Sequence, residues 1–220
     1  MRVKICGINS LEAAKAVLNA GADFAGLVFF PGSPRNVDLA QARQLAALMR
    51  GRVRIVTLMV DPTDSLVAET VAAIAPDLIQ LHGSERPARV AAIGNTAKRP
   101  IIKVVAIADS GDIAHARAYE EVADYILFDA KAGPEAQRPG GLGAAFDWQL
   151  LAGANLKRPW GLAGGLTPEN IGRAIQIAQP HFVDASTGVE DAPGRKSAKK
   201  IAAFVKAARN AQVSNATSPA

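Results

Sequence analysis

The fold of this chain is decided by residues 3–30, VKICGINSLEAAKAVLNAGADFAGLVFF, which have the pattern of one strand–helix–strand unit. Val3–Ile5 and Phe24–Phe29 are short apolar runs, and Leu11–Ala20 between them has apolar residues at helical spacing. Strands joined by a helical crossover run parallel in one sheet. The opening of the chain therefore predicts an α/β protein with a parallel sheet.

The same alternation continues through the rest of the 220 residues. Further strands are predicted at Arg54–Val60, Leu78–Leu81, Ile101–Val105, Tyr125–Phe128, Trp160–Leu162 and Phe182–Asp184. Further amphipathic helices are predicted at Ala40–Met49, Ser65–Ile74, Pro168–Ala178 and Ser197–Ala208. The fifth and sixth units are the least regular, because Asp112–Glu121 offers only a short helix. Eight strand–helix units in a chain of this length predict a (βα)8 TIM barrel rather than an open doubly wound sheet.

Residue types at the helix ends support these boundaries. Ser10 and Thr167 are predicted N-caps, which would place Pro168 at the first position of its helix. Gly21 follows the first helix, where glycine commonly ends a helix.

The barrel is predicted to be the only folded domain. No boundary divides residues 1–209, and Ala130–Leu142, which is rich in glycine and proline, is predicted to be a long loop. Residues 210–220 are mostly small and polar and are predicted to form a disordered tail.

The charge pattern argues against nucleic acid and membranes as partners. The net charge is +5, but lysine and arginine are dispersed, with local groups at Arg50–Arg54 and Arg195–Lys200 that we expect to lie on the surface. Aromatic residues make up 5% of the chain, which leaves few side chains to stack on bases. No apolar run approaches the ~20 residues of a membrane helix. A small anionic molecule is the partner that this charge favours.

The single cysteine limits the redox and metal chemistry. One cysteine cannot form an internal disulfide, and one cysteine with three histidines is too few for a structural zinc site. We therefore expect neither a metal nor a cofactor. Met1–Gly7 has no apolar signal core, which with the lone cysteine predicts a cytoplasmic protein. We favour a monomer over a homodimer.

Two glycine-containing loops predict a phosphate site. Gly164 and Gly165 follow the seventh strand, while Ser186, Thr187 and Gly188 follow the eighth. In this fold the loops after strands seven and eight commonly bind phosphate, because glycine lets backbone N–H groups approach an anion. The alternative is a pair of ordinary tight turns.

A candidate acid–base pair stands at two strand ends. Cys6 ends the first strand and Asp129 the sixth, so both should face the mouth of the barrel. A thiolate there could take a proton from carbon, while a carboxyl group on the other side of a substrate supplies one. The alternatives are an inert buried cysteine and an aspartate that caps a turn or pairs with Lys131.

Two further side chains are candidates for binding substrate. Arg35 lies in a loop that is stiffened by Pro31 and Pro34, and its guanidinium suits a carboxylate or an aromatic face. His82 follows the fourth strand and is either a substrate contact or a hydrogen-bonded rim histidine. For Arg35 the alternative is a solvated loop arginine.

Several motifs occur in one order along nearly the whole chain, and together they carry a family resemblance. They are Val3-Lys4-Ile5-Cys6-Gly7-Ile8, Gly26-Leu27-Val28-Phe29-Phe30 with Ser33-Pro34-Arg35, Gln80-Leu81-His82-Gly83, Leu127-Phe128-Asp129-Ala130-Lys131, Phe146-Asp147-Trp148, Ala163-Gly164-Gly165-Leu166 and Val183-Asp184-Ala185-Ser186-Thr187-Gly188-Val189-Glu190. With these motifs the chain resembles the phosphoribosylanthranilate isomerase family of tryptophan biosynthesis.

The resemblance implies an Amadori rearrangement without a cofactor. The substrate would be N-(5-phosphoribosyl)anthranilate, whose ring-opened imine serves as the electron sink. Asp129 would be the general acid at the ring oxygen, and Cys6 would be the general base at C2. Arg35 would hold the anthranilate moiety, and Asp184 would bind the sugar hydroxyls. The phosphate would be bound by Gly164, Gly165, Ser186, Thr187 and Gly188.

Three positions depart from the family pattern. Thr187 stands where serine is more usual, and it keeps a hydroxyl. Leu142 replaces a small polar residue, which puts a polar contact from that loop in doubt. Asp61 stands where a neutral residue is expected, and the sequence offers no account of it.

Two other functions compete with this interpretation. Related barrel isomerases of histidine biosynthesis use two carboxylates, normally with an aspartate where this chain has Cys6. A non-catalytic phosphosugar-binding barrel would need the phosphate loops but neither Cys6 nor Asp129.

Overall fold

The computed structural model describes residues 1–131 and 146–216. Within them, eight parallel strands close into a barrel, because each strand pairs with the next and the last pairs with the first. The strands are β1 (Arg2–Cys6), β2 (Phe24–Phe29), β3 (Arg54–Met59), β4 (Leu78–Leu81), β5 (Ile101–Ile107), β6 (Tyr125–Ala130), β7 (Trp160–Leu162) and β8 (Phe182–Ala185). The predicted (βα)8 barrel is confirmed.

Helices connect the strands around the outside of the barrel. They are α1 (Leu11–Ala20), α2 (Leu39–Met49), α3 (Asp64–Ile74), α4 (Pro87–Ala97), α5 (Ser110–Ala116), α6 (Ile171–Ala178) and α7 (Ala198–Ala216). Short 3-10 helices add Arg117–Tyr119, Trp148–Leu151 and Thr187–Val189. In the described part of the chain, no helix is long and apolar enough to span a membrane.

The two faces of each strand are buried in different places. Val3 and Ile5 belong to the large core between strands and helices, whereas Cys6 packs with Val28 and Leu58 inside the barrel. This alternation follows from the two-residue period of a strand. The interior of the barrel holds an apolar cluster, made of Phe24, Val56, Leu78, Ile102, Val104, Leu127, Ala163 and Phe182. The inward polar groups nearer the strand ends therefore meet at the carboxyl end of the barrel.

The amino end of the barrel is braced by three aspartates. Asp23, Asp77 and Asp124 precede β2, β4 and β6. Their carboxylates accept from the backbone N–H groups of Val3, Ile55 and Ile101 at 2.8, 2.7 and 2.8 Å. Each aspartate thus joins its own strand to the start of the neighbouring one.

Two of the predicted helix ends are confirmed and one is wrong. The Ser10 hydroxyl accepts from Ala13 N at 3.1 Å, and Gly21 ends α1 with a φ of 69°. By contrast, α6 begins at Ile171 and not at Pro168. The Thr167 hydroxyl instead accepts from the Glu169 N–H at 3.2 Å, which closes a separate turn before the helix.

The carboxyl end of the chain differs from the prediction. The expected disordered tail began at residue 210, but α7 continues to Ala216. Alanine-rich sequence favours helix, and Ala211 is buried at 7% exposure. Residues 217–220 lie outside the described residues.

Other differences concern strand length and connections. β5 and β6 reach Ile107 and Ala130, because they pair with each other over that extra length. The helix α4 was not predicted, nor was the hairpin of β9 (Glu190–Ala192) and β10 (Arg195–Lys196) after β8. Leu142 and most of the predicted long loop lie outside the described residues.

Candidate active site

Cys6 lies at the carboxyl end of β1 and is 5% exposed. A Cβ atom on Gly26 of β2 would lie 2.8 Å from the Cys6 Sγ atom, so β2 has a glycine where the sulfur needs room. Burial raises the pKa of the Cys6 thiol, and the Lys4 ammonium opposes that shift. The protonated thiol is therefore the resting form near neutral pH.

A buried ion pair lies below the cysteine. Lys4 and Asp184 are paired in register on β1 and β8, and the Lys4 Nζ donates to Asp184 Oδ2 at 2.7 Å. Although burial alone would lower the pKa of Lys4, the adjacent carboxylate raises it above its ordinary value. The second oxygen of Asp184, Oδ1, is buried without a hydrogen-bond partner among the described residues. That oxygen is an acceptor available to a bound molecule.

Asp129 and His82 approach each other at the same mouth. The Asp129 Oδ2 atom is 3.3 Å from His82 Nε2, although this approach lacks the alignment of a hydrogen bond. The other carboxylate oxygen accepts from Ala130 N at 2.9 Å. Gln80 Nε2 lies 3.5 Å from His82 Nδ1 on the inner side of β4. The structure thus brings together a carboxyl and an imidazole that the sequence had placed on separate strands.

Arg35 is not a solvated loop residue. It is 4% exposed, and its Nε and Nη2 atoms donate to the two carboxylate oxygens of Glu190 at 2.7 and 2.8 Å. Nη2 also donates to the Thr187 hydroxyl at 3.0 Å. This two-pronged pairing fixes the plane of the guanidinium. Its predicted contact with anthranilate stays a prediction.

The two predicted phosphate loops lie against each other. Gly164 and Gly165 have φ values of 84° and 61°, which favour glycine. A Cβ on Gly164 would lie 2.6 Å from Ala130 N, and a Cβ on Gly188 would overlap Leu166 O. Glycine at 188 therefore lets the loops after β7 and β8 approach each other, while glycine at 164 lets the loop after β7 approach the end of β6.

Asp61, unexplained by the sequence, is exposed but bonds to the buried Glu85. It has a φ of 44°, its N–H donates to Glu85 Oε1 at 2.9 Å, and its carboxylate accepts from Ser84 N at 2.9 Å. Glu85 in turn pairs with Lys103 Nζ at 2.7 Å, with both side chains nearly fully buried. The network joins the loops after β3 and β4, so Asp61 has a structural role.

Sequence reasoning missed two charged residues of the β8 connection. Lys196 was expected among surface charges, yet its side chain is fully buried. Glu190 was noted only within a motif, yet it pairs with both Lys196 and Arg35. Burial opposes ionisation of Glu190, but its bonds from Arg35 and Lys196 lower the pKa of the carboxyl below its ordinary value. The nearest sequence signal was glycine and proline just before Arg195, which are typical of a tight turn.

Within residues 1–131 and 146–216, no cluster of three or more histidine, cysteine or acidic side chains could hold a metal ion. The carboxyl end instead combines a buried thiol, two inward carboxyl groups and paired glycine loops. A closed (βα)8 barrel with such an end defines the class of barrel enzymes that act on small phosphorylated molecules.

The comparisons with known proteins give the family. Residues 3–207 match the family model described as N-(5'phosphoribosyl)anthranilate (PRA) isomerase, and the chain belongs to this family. N-(5'-phosphoribosyl)anthranilate isomerase of Afipia carboxidovorans is 50% identical over 212 residues, which cover 96% of this chain and 91% of that protein. Its counterpart in Rhodopseudomonas palustris strain BisB18 is 49% identical over 210 residues, or 96% of each chain.

Solved structures agree with this assignment. Phosphoribosyl anthranilate isomerase of Thermotoga maritima superposes with a TM-score of 0.86 at 35% identity, over 96% of this chain and 99% of that chain. A second structure of such an isomerase, in complex with reduced 1-(o-carboxyphenylamino)-1-deoxyribulose 5-phosphate, has a TM-score of 0.82 at 32% identity, with the same coverage of both chains.

Proposed function

We propose that this chain isomerises N-(5-phosphoribosyl)anthranilate to 1-(2-carboxyphenylamino)-1-deoxyribulose 5-phosphate in tryptophan biosynthesis. The observation that carries the proposal is the pair of Cys6 on β1 and Asp129 on β6, both buried and both facing the mouth of the barrel. Family membership and the relative that holds a reduced product analogue support the same substrate.

The first step is opening of the ribose ring. Asp129 gives its proton to the ring oxygen, the bond between that oxygen and C1 breaks, and the nitrogen lone pair forms the protonated imine. The proximity of His82 Nε2, 3.3 Å from the carboxylate, supports this role, because an N–H there stabilises the anion left after proton transfer.

The second step is removal of the C2 proton. Cys6 takes this proton as a thiolate, and the electrons of the C–H bond move into the imine to form an enolamine. The enolamine then tautomerises to the ketose. Because burial holds the thiol protonated, the ammonium of Lys4 beside it is needed to favour the thiolate. No cofactor enters, because the imine accepts the electron pair.

The remaining residues bind the substrate. Gly164, Gly165, Ser186, Thr187 and Gly188 bind the phosphate through the two glycine loops after β7 and β8.

Three side chains orient the rest of the molecule. Arg35 binds the anthranilate carboxylate from its fixed position on Glu190, and His82 contacts the sugar or the anthranilate at the rim of the mouth. Asp184 Oδ1, which has no partner in residues 1–131 and 146–216, accepts from a sugar hydroxyl, and this bond satisfies a buried acceptor. We further propose that the protein works in the cytoplasm as a monomer, without a nucleic-acid partner.

Complementation tests the proposal. The gene should restore growth without tryptophan to a strain that lacks this isomerase, and a histidine auxotroph that lacks the related aminoaldose isomerase serves as the parallel control. Growth of the first strain alone is the expected result. Rescue of the histidine auxotroph alone would contradict the proposal, and the purified chain should convert the substrate with no added metal.

A further inference from the structure

A buried lysine outside the predicted site lies close to the proposed base. The side chain of Lys196 on β10 is fully buried. Its Nζ donates to Glu190 Oε1 at 2.7 Å, to Ser186 O at 3.0 Å and to Ser186 Oγ at 3.2 Å. An ammonium group out of water is costly unless it is paired, so these three contacts fix its position.

The strand register brings this lysine beside Cys6. β1 and β8 pair with Ile5 opposite Ala185, so the next residues along the two strands are Cys6 and Ser186. Lys196 bonds two atoms of that Ser186. Arg35, which donates to the same Glu190 oxygen as Lys196, also lies next to Gly7, since a Cβ on Gly7, the residue after Cys6, would overlap the Arg35 side chain. Lys196 and Arg35 therefore reach the residues next to Cys6, and we call these two side chains, with the Glu190 that pairs both of them, the cationic cluster.

With Lys196 protonated, the cluster carries one net positive charge. It contains two cations but only one carboxylate, whereas the Lys4–Asp184 pair on the other side of Cys6 is neutral as an ion pair. Burial lowers the pKa of Lys196, and the adjacent Glu190 carboxylate opposes that shift. A buried excess charge favours any anion beside it. The anions that this charge would stabilise are the Cys6 thiolate and the negative groups of a bound substrate.

We propose that Lys196 is a positioning residue that supplies the excess positive charge beside Cys6 and so stabilises its thiolate. The use of that thiolate in catalysis rests on the proposed function, but the electrostatic effect does not. The direction of the pKa supports the geometry: burial raises the pKa of Cys6, Lys4 lowers it most, Asp184 raises it, and Lys196 lowers it.

Several charged side chains meet near the thiol, and the test must separate them. They are Lys4 from β1, Asp184 from β8, Arg35 from the loop after β2, Glu190 from β9 and Lys196 from β10, with Asp129 and His82 across the mouth. Of the two lysines among them, Lys196 is the one that bonds Ser186, the residue that follows β8.

The experiment is a pH titration of Cys6 by the ultraviolet absorbance of its thiolate. Cys6 is the only cysteine, so subtraction of the same titration of Cys6→Ser removes the background of the two tyrosines. In Lys196→Gln, which keeps a hydrogen-bond donor but loses the charge, the Cys6 pKa should rise by roughly half to one unit. In Glu190→Gln, which removes the opposite charge, it should fall.

The matched control is Lys200→Gln. Lys200 also bonds this loop, at the Glu190 carbonyl, but its side chain is 46% exposed, so its loss should leave the Cys6 pKa unchanged. An unchanged pKa in Lys196→Gln, or shifts of the same sign in both cluster variants, would overturn the proposal. If Lys196→Gln does not fold, the sign of the shift in Glu190→Gln decides alone.

A kinetic measurement then links the charge to the reaction. In Lys196→Gln the acid limb of the kcat/KM profile should move to higher pH by the same amount as the titration, because the thiolate forms later. A role limited to holding the loop would lower kcat/KM or the melting temperature without moving the limb. Because the titration uses no substrate, it decides the role of Lys196 even if the chain isomerises another compound.

Discussion

Aspartates stand at both ends of this barrel, and their surroundings differ. At the amino end, Asp23, Asp77 and Asp124 each accept from a backbone N–H of the neighbouring strand. At the carboxyl end, one buried oxygen of Asp184 has no hydrogen-bond partner among the described residues, and Asp129 faces the His82 imidazole without a well-aligned hydrogen bond. The carboxylates at the amino end hydrogen-bond to neighbouring strands, whereas those at the carboxyl end have oxygens that a ligand could bind.

The strand β6 offers the sharpest form of this comparison, because it has one aspartate at each end. Asp129→Asn should lower kcat/KM by about 10³-fold with little change in melting temperature, because it removes the proton donor. Asp124→Asn should leave turnover unchanged and cost about 1 kcal/mol of stability, because it weakens the bond to Ile101 N. Steady-state kinetics and thermal unfolding of both variants test these two predictions. A loss of turnover in Asp124→Asn with normal turnover in Asp129→Asn would contradict them.

Cys6→Ser tests the carboxyl end without changing its charge pattern. Serine fits the space beside Gly26 but is a far weaker base, so kcat should fall by roughly 10²- to 10³-fold while phosphate affinity and the unfolding free energy stay close to wild type. Turnover close to wild type would remove Cys6 from the reaction. A large loss of stability would instead assign it to packing, and denaturant unfolding distinguishes the two results.

Glu85 is an exception to this difference between the two ends. It lies near the carboxyl end, but its carboxylate is paired like those of the bracing aspartates. Its carboxylate is fully engaged by Lys103 and by the N–H groups of Asp61 and Gly83. Glu85→Gln leaves Lys103 buried without its counter-charge, so stability should fall by about 3 kcal/mol.

Kinetics of the folded Glu85→Gln variant complete that test. Turnover at a temperature well below its melting point should stay within about twofold of wild type, because the pair touches no proposed substrate group. Ser65→Ala, which removes an exposed hydrogen bond to Glu69, should change neither stability nor turnover appreciably and serves as the surface control. Intact stability of Glu85→Gln would contradict the bracing role.

The smallest expected effect concerns acid stability. The pKa of Glu190 is lowered in the folded protein by Arg35 and Lys196, so its contribution is complete above the unfolded-state value of 4.5 and is lost as the pH falls through the lower folded value. Glu190→Gln should therefore lose less stability than wild type below about pH 4.5. Urea unfolding from pH 7 to pH 3 measures this slope, and parallel slopes would show that Glu190 keeps its ordinary pKa.

The fold and the main site residues could be predicted because they depend on local rules. Strand period and helix period gave the barrel, and the strand ends of a parallel barrel must share one mouth, which brought Cys6, Asp129 and the glycine loops to the same end. The start of α6 was missed because Thr167 forms a local turn that competes with the helix cap. The roles of the site residues in catalysis remain predictions.

The partners of the charged residues could not be predicted, because the type of a residue does not show whether the folded chain buries it. Lys196 follows Arg195 in a basic segment that is typical of a surface, yet the hairpin after β8 turns one lysine inward and leaves the next cations exposed. The structural role of Asp61 likewise depends on a contact between the loops after β3 and β4, because its backbone N–H donates to Glu85.

By itself, the sequence determined the eight-unit barrel, the end at which chemistry is possible and the residue types that stand there. Hydrophobic period and the fixed direction of parallel strands are properties of consecutive residues, so one chain suffices to read them. Only the tertiary structure decided which charges are buried together: Lys4 with Asp184, Lys103 with Glu85, and Lys196 with Glu190 and Arg35. Those pairs join residues far apart in the chain, and their energy depends on how much water the closed barrel excludes.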